Sequence, residues 1–232
     1  MNTDLFGNEI IKDELLRDKF IEPPFSVLDT KTGSWQNRKK QWKRLGIQSE
    51  VGRDATSFST QASSKKYDYM PDVGSDTSIF DPALTELIYH WYAKDGGTIL
   101  DPFAGGSVRG IVANKLGYKY TGIELRQEQV DSNRYQALNI LDVTNQPQWY
   151  VGDSRQQLDG FNKKFDFLFS CPPYLDLEVY SDLKEDLSTM DESKFKVAYE
   201  EIILKSVNLL CNNSFAVFVV GDVRCKKQVR IK

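Results

Sequence analysis

The sequence predicts an α/β protein, a parallel sheet with helices on both faces, and three observations carry that reading. Short apolar runs that suit strands alternate with stretches whose apolar residues recur at helical spacing. Thr98 to Ser107, TILDPFAGGS, breaks an apolar run at Asp101-Pro102 and opens a Gly-rich loop ahead of the period Val108, Ile111, Val112, Leu116. Strand, glycine turn and helix in that order let backbone approach a ligand at the carboxyl end of a parallel strand. Finally, the run Phe165 to Phe169 closes in Cys171-Pro172-Pro173-Tyr174, a second loop at a strand end. The first loop is not GxGxxG, which speaks against a nicotinamide cofactor.

The totals bound the answer. A chain of 232 residues suits one α/β domain with an extension, divided here into residues 1–76 and 77–232. Its net charge of −3 argues against a polyanion binder over the whole surface, so a nucleic-acid site has to be a local patch. Cys171, Cys211 and Cys225 lack the spacing of a disulfide framework or a zinc site, and no metal is expected. No apolar run reaches membrane-spanning length and the acidic N-terminus is no signal peptide, so a soluble, cytoplasmic protein is expected.

In chain order, Leu15, Leu16, Phe20 and Ile21 can form a short helical face that Pro23-Pro24 end. Residues 31–53 are basic, and a helix there would put Trp35, Trp42 and Leu45 on one face. Two readings stay open: a DNA-backbone patch using Arg38, Lys39, Lys43 and Arg44, or a helix docked by its tryptophans with solvated charges. Asp54 to Asp76 reads as a mobile linker. Asp81 caps a helix that Pro82 starts and that Leu84, Leu87, Ile88 and Trp91 dock, and its His90 reads as a surface or packing residue.

Tyr118 to Leu125 is the second strand. Glu124 at its end can hold both ribose hydroxyls of an adenosine, or simply pair with Arg126 as a surface acid. A helix over 127–141 follows, then a third strand at 149–151. Asp153 beyond it can accept from an adenine amine or only cap a helix. Phe165 to Ser170 is the fourth strand, 195–210 a helix, and Phe215 to Val220 an unbroken apolar strand expected to be buried on both faces.

The segments SIFDP, ILDPFAGGSVRGIVANKLGYKYTGIELRQEQV, GDS, FSCPPYLDLEVYSD and FAVFVVGDVR, with the N-terminal PPFSVLDTKTGSWQNRKKQWKRLGI, together resemble the phage-type amino-group DNA methyltransferases. The resemblance implies a Rossmann-like methyltransferase sheet of order 3-2-1-4-5-7-6 and S-adenosylmethionine as cofactor. It also implies DNA as the partner, methylated at N6 of adenine or N4 of cytosine in the cytoplasm of a phage's host. Asp101, Phe103, Gly105, Ser107, Glu124 and Asp153 match cofactor positions. Ser78, Phe80 and Asp81 match the segment closing over the methionine end, and Cys171, Pro172, Pro173 and Tyr174 the catalytic tetrapeptide.

On that reading the carbonyl of Pro172 and a polar side chain draw the protons of the target amine, while Tyr174 stacks on a base swung out of the duplex. Methylation at ring C5 would need a cysteine after a proline, and Cys171 precedes the pair. The family tetrapeptide begins with Asp, Asn or Ser. A thiol is a poor acceptor, so Ser170 or the Pro172 carbonyl has to do more. The residues past the fifth strand are too few for the family's closing hairpin and helix. The hairpin strands are therefore expected to be missing, as in a truncated product, and the open sheet edge to be covered by a second copy or another polypeptide. The competing functions are an RNA or protein-glutamine methyltransferase, and a catalytically inactive DNA-binding subunit.

Overall fold

The computed structural model describes residues 28–48, 79–174, 179–225 and 228–231. Five parallel strands form one sheet in the order β3-β2-β1-β4-β5. They are β1 (Thr98–Asp101), β2 (Lys119–Glu124), β3 (Gln148–Val151), β4 (Phe165–Ser170) and β5 (Leu210–Phe218). Parallel neighbours require crossovers, supplied by helices. Before β1 come α1 (Gly33–Lys43) and α2 (Pro82–Tyr92); α3 (Val108–Lys115) joins β1 to β2 and α4 (Gln127–Ile140) joins β2 to β3. The short α5 (Ser154–Gln157) precedes β4, and α6 (Glu192–Asn208) precedes β5. The chain builds outward from β1 through β2 to β3 and then returns to the other side of β1 at β4. That reversal leaves a crevice at the carboxyl ends of β1 and β4, where open parallel sheets bind ligands.

Alternate strand residues feed two cores. Ile99, Phe167 and Phe169 pack with Tyr89, Val108, Ile111, Val130 and Trp42 on one face. Leu100, Ile123 and Leu168 pack with Leu158, Ala198 and Ile202 on the other. Burying a Phe or Ile side chain fully contributes about 1.5–3 kcal/mol, so the central strands anchor both layers. Gly110 lets α3 approach the sheet: a Cβ there would stand 2.5 Å from Cζ2 of Trp149.

Asp81 caps α2, accepting from the backbone N–H of Ala83 (2.9 Å) and Leu84 (3.3 Å), with Pro82 as the first helical residue. On α1, Trp35 and Trp42 are fully buried, so this helix is docked by its tryptophans. His90 is half-buried on α2 and lies outside the cleft described below.

Two expectations are corrected here. The strand predicted at 215–220 begins at Leu210 and ends at Phe218, and Phe215 is 55% exposed. The reason is position: β5 is the sheet edge, and among the described residues no strand pairs with its outer side. Beyond β5 the chain does form strands, β6 (Asp222–Cys225) and β7 (Gln228–Ile231), which pair antiparallel. That pair is a sheet of its own and does not extend the five-stranded one. The helical face at 15–21, the linker at 54–76 and Ser78 lie outside the described residues. No described helix is long and apolar enough to cross a membrane.

Candidate active site

The crevice at the strand reversal opens into a cleft of about 490 Å³, within the roughly 300–1,000 Å³ usual for small-molecule sites. Its floor is organised by Asp101, which ends β1 with no exposed surface. One carboxylate oxygen accepts from Nε of Arg109 and the hydroxyl of Tyr120, both at 2.6 Å. The other accepts from the hydroxyl of Ser170 (2.5 Å) and the backbone N–H of Phe103 (3.3 Å). Arg109 also donates to the carbonyls of Phe103 (2.7 Å) and Ala104 (2.9 Å), and its guanidinium carbon lies 4.6 Å from the Phe80 ring centroid. Burial disfavours the charge on Arg109, but Asp101, Tyr120 and Cys171 more than offset this and hold its pKa above the ordinary arginine value. Burial first, and then the Asp101 carboxylate, push Tyr120 well above the usual phenol range, so it stays a neutral donor.

Asp101 is therefore not in the cleft wall, contrary to its expected place beside the cofactor. Ser170 is withdrawn for the same reason. Its hydroxyl donates to Asp101 and accepts from the Phe103 N–H (3.1 Å), so it is not the spare acceptor the sequence suggested. Ser107 is buried too, donating to Gln136 at 2.9 Å.

Glu124 differs. Its carboxylate lines the cleft and is pinned by one backbone N–H on each oxygen, from Gly105 and Arg126, both at 3.0 Å. Gly105 has φ +51°, a left-handed conformation that glycine adopts without strain, and this turn aims its N–H at Glu124. Arg126 also approaches Glu124 at 3.4 Å, so the acid is both paired and facing the cleft. Asp153 likewise has several roles: it caps α5 through the N–H of Arg155 (2.8 Å), pairs with that side chain at 2.6 Å, and lines the cleft. Phe80, Asp81 and Phe103 also line the cleft.

Opposite them, Cys171, Pro172, Pro173 and Tyr174 leave the end of β4 along the cleft wall. The Tyr174 hydroxyl lies by Gly221, 3.1 Å from where a Cβ would stand. Phe103 stacks on Tyr199 of α6, centroids 6.0 Å apart. Burial, and then the nearness of Cys171 and Tyr174, raise the Tyr199 pKa.

The basic candidates divide. Arg38 is buried and bidentate to Glu86, both bonds 2.7 Å, with Trp42 Nε1 donating to the same carboxylate. It is a docking residue and not a phosphate contact. Lys39 turns into the cleft wall beside Asp81. Lys43 and Arg44 are exposed, together with Lys40.

Arg109 is the residue that sequence reasoning missed. No sequence signal marks it: the structure shows α3 buried at six consecutive positions, 108–113, where any charge has to be paired. Arg126, buried at the cleft beside Glu124, was seen only as a surface partner.

A family model described as DNA methylase matches residues 19–135, a span that includes α1, the glycine loop and Glu124 but stops before Cys171. The comparison with curated proteins finds no match. Among solved structures the chain is similar to TrmN from Thermus thermophilus, at 17% identity and TM-score 0.45, covering 58% of this chain and 36% of that one. It is also similar to a ribosomal protein L11 methylase from Lactobacillus delbrueckii subsp. bulgaricus (19%, TM-score 0.40, 66% and 72%). A third is a TehB-like SAM-dependent methyltransferase from Corynebacterium glutamicum (19%, TM-score 0.43, 68% and 73%). The chain thus spans about a third of the length of TrmN.

Proposed function

The chain belongs to the DNA methylase family, and from that premise we propose that it methylates DNA at an exocyclic amine, N6 of adenine or N4 of cytosine. The cofactor is S-adenosylmethionine. One observation carries the proposal: the Cys171–Tyr174 loop and the Gly105–Glu124 pair face one cleft at the strand reversal. Residues 77–232 are the catalytic domain on this reading.

The donor set fits the cofactor. Glu124 would hold the ribose hydroxyls, Asp153 the adenine amine, and the backbone at Gly105 and Gly106 would close on the ligand. Five acids, among them Glu124 and Asp153, and three bases, Lys39, Arg109 and Arg126, line the cleft, a mixed wall that suits a ligand carrying both signs of charge. When bound, the cofactor supplies a methyl group on a positively charged sulfur.

The chain's own residues do the rest. Tyr174 stacks on a base taken out of the duplex, since the amine is unreachable within it. The carbonyl of Pro172 accepts an amine N–H and draws the nitrogen lone pair out of the ring. The thiol of Cys171 is a weak acceptor and Ser170 is committed to Asp101, so this carbonyl carries the larger share. Asp101 and Arg109 are positioning residues that hold the loop at Phe103 and Ala104. Lys40, Lys43 and Arg44 supply phosphate contacts.

The test is incubation with tritiated S-adenosylmethionine and duplex DNA, RNA or protein. Label is expected in DNA, recovered after digestion as N6-methyladenine or N4-methylcytosine. Label confined to RNA or protein, or none at all, would overturn the proposal.

A further inference from the structure

We propose that Lys39 is a ligand-binding residue of the cleft: its ammonium takes the carboxylate at the amino-acid end of S-adenosylmethionine, so that α1 completes the cofactor site. The inference rests on the proposed reading of the cleft.

Lys39 lies in the cleft wall with its Nζ 3.2 Å from Asp81 Oδ2, its single acceptor among the described residues. An ammonium carries three N–H donors, so two are left for a ligand. Asp81 has no such reserve. One of its oxygens takes the N–H of Ala83 and of Leu84, and the other takes Trp35 Nε1 (3.1 Å) and Lys39. The lysine is also held in place. On either side of it along α1, Trp35 and Trp42 are fully buried, and Arg38 is locked to Glu86.

Strand order says which end of the ligand arrives there. Glu124 and Asp153 follow β2 and β3, so adenosine sits over that half of the sheet. Lys39 lies with Phe80 at the other half, where the Phe80 ring packs 5.9 Å from Phe169 of β4. A ligand anchored at Glu124 and crossing the β1 end reaches this corner with its amino-acid group, and the carboxylate is the cofactor's only anion. A DNA phosphate is the poorer match. The Lys39 side chain is 28% exposed and recessed in the wall, whereas Lys40, Lys43 and Arg44 stand in solvent.

Calorimetry with two probes tests this: S-adenosylhomocysteine, which carries the carboxylate, and 5′-methylthioadenosine, which lacks the amino-acid end. Lys39→Met should weaken the first by roughly 10- to 100-fold, the loss of one charged hydrogen bond, and leave the second unchanged. Lys39→Arg should restore most of the difference, and a melting curve of each variant reports that it is folded. Equal losses for both probes, or none for either, would overturn the inference. So would an unchanged S-adenosylhomocysteine affinity accompanied by a shallower salt dependence of DNA binding, which would make Lys39 a phosphate contact. Wild-type protein that binds neither probe would instead overturn the reading of the cleft itself.

Discussion

Asp101 and Glu124 end neighbouring parallel strands, both precede a turn, and both look equally fit to hold a ligand. The fold treats them differently. Asp101 accepts four hydrogen bonds and has no exposed surface, while Glu124 accepts one backbone N–H on each oxygen and faces the cleft. A strand end does not by itself make a ligand. What decides is enclosure: Arg109 of α3 and Tyr120 close over Asp101, whereas Arg126 reaches Glu124 at 3.4 Å and leaves it in the cleft wall. An anion so enclosed shapes the loop that meets the ligand; an anion that is paired and still lines the cleft can meet the ligand itself.

The largest effect follows from removing the enclosed acid. Asp101→Ala leaves Arg109, 4% exposed, without its counter-charge, and breaking a buried pair costs about 3–5 kcal/mol. Urea unfolding should show that loss. A variant as stable as wild type but unable to bind S-adenosylhomocysteine would return Asp101 to the cofactor and dissolve the contrast. Glu124→Ala should act first on the ligand: affinity for S-adenosylhomocysteine falls by about 1.5–3 kcal/mol, roughly ten- to hundredfold. Some stability is lost with it, because Arg126 is buried and paired with Glu124, so affinity is compared on a variant shown by its melting curve to be folded. Calorimetry that finds the affinity unchanged would remove Glu124 from the site.

The part of this visible in the sequence was the part that local chemistry determines. β1 to β4 and α2 follow from short apolar runs, an Asp cap and a Pro at the first helical position. The capture of Asp101 was not visible, because a lone arginine in an amphipathic period reads as the solvent side until the helix is known to be buried all round. The start of β5 was hidden for another reason. Asn212-Asn213-Ser214 reads as a turn, yet the strand runs through it as an irregularity, with Asn213 at φ +59° and the register shifting between Phe165 and Phe167. The exposure of β5 depends on what lies beside it in space, which no run of apolar residues encodes.

Across the cleft the contrast extends to Tyr174, which on the proposed reading meets the base and not the cofactor. Tyr174→Ala should cost about 1–3 kcal/mol of base stacking. The loss should be read in methyl transfer to duplex DNA, while S-adenosylhomocysteine affinity holds. A variant that loses cofactor affinity instead would move Tyr174 to the other side of the site.

The smallest effect belongs to α1, where the same division between enclosed and open charge recurs within one helix. Arg38 is locked to Glu86, so reversing its charge would undock the helix and report on folding. Lys40, Lys43 and Arg44 are exposed, and Lys40 shares a side of the helix with the other two at three and four residues' spacing. If they meet phosphates, replacing them with glutamate should weaken DNA binding without changing the melting temperature much. Every phosphate pairing removed should lower the slope of log affinity against log salt by about 0.9 on duplex DNA. The measurement is a salt series with one duplex, wild type against the triple variant. A slope that does not move would mean these charges are solvated only and meet no phosphate.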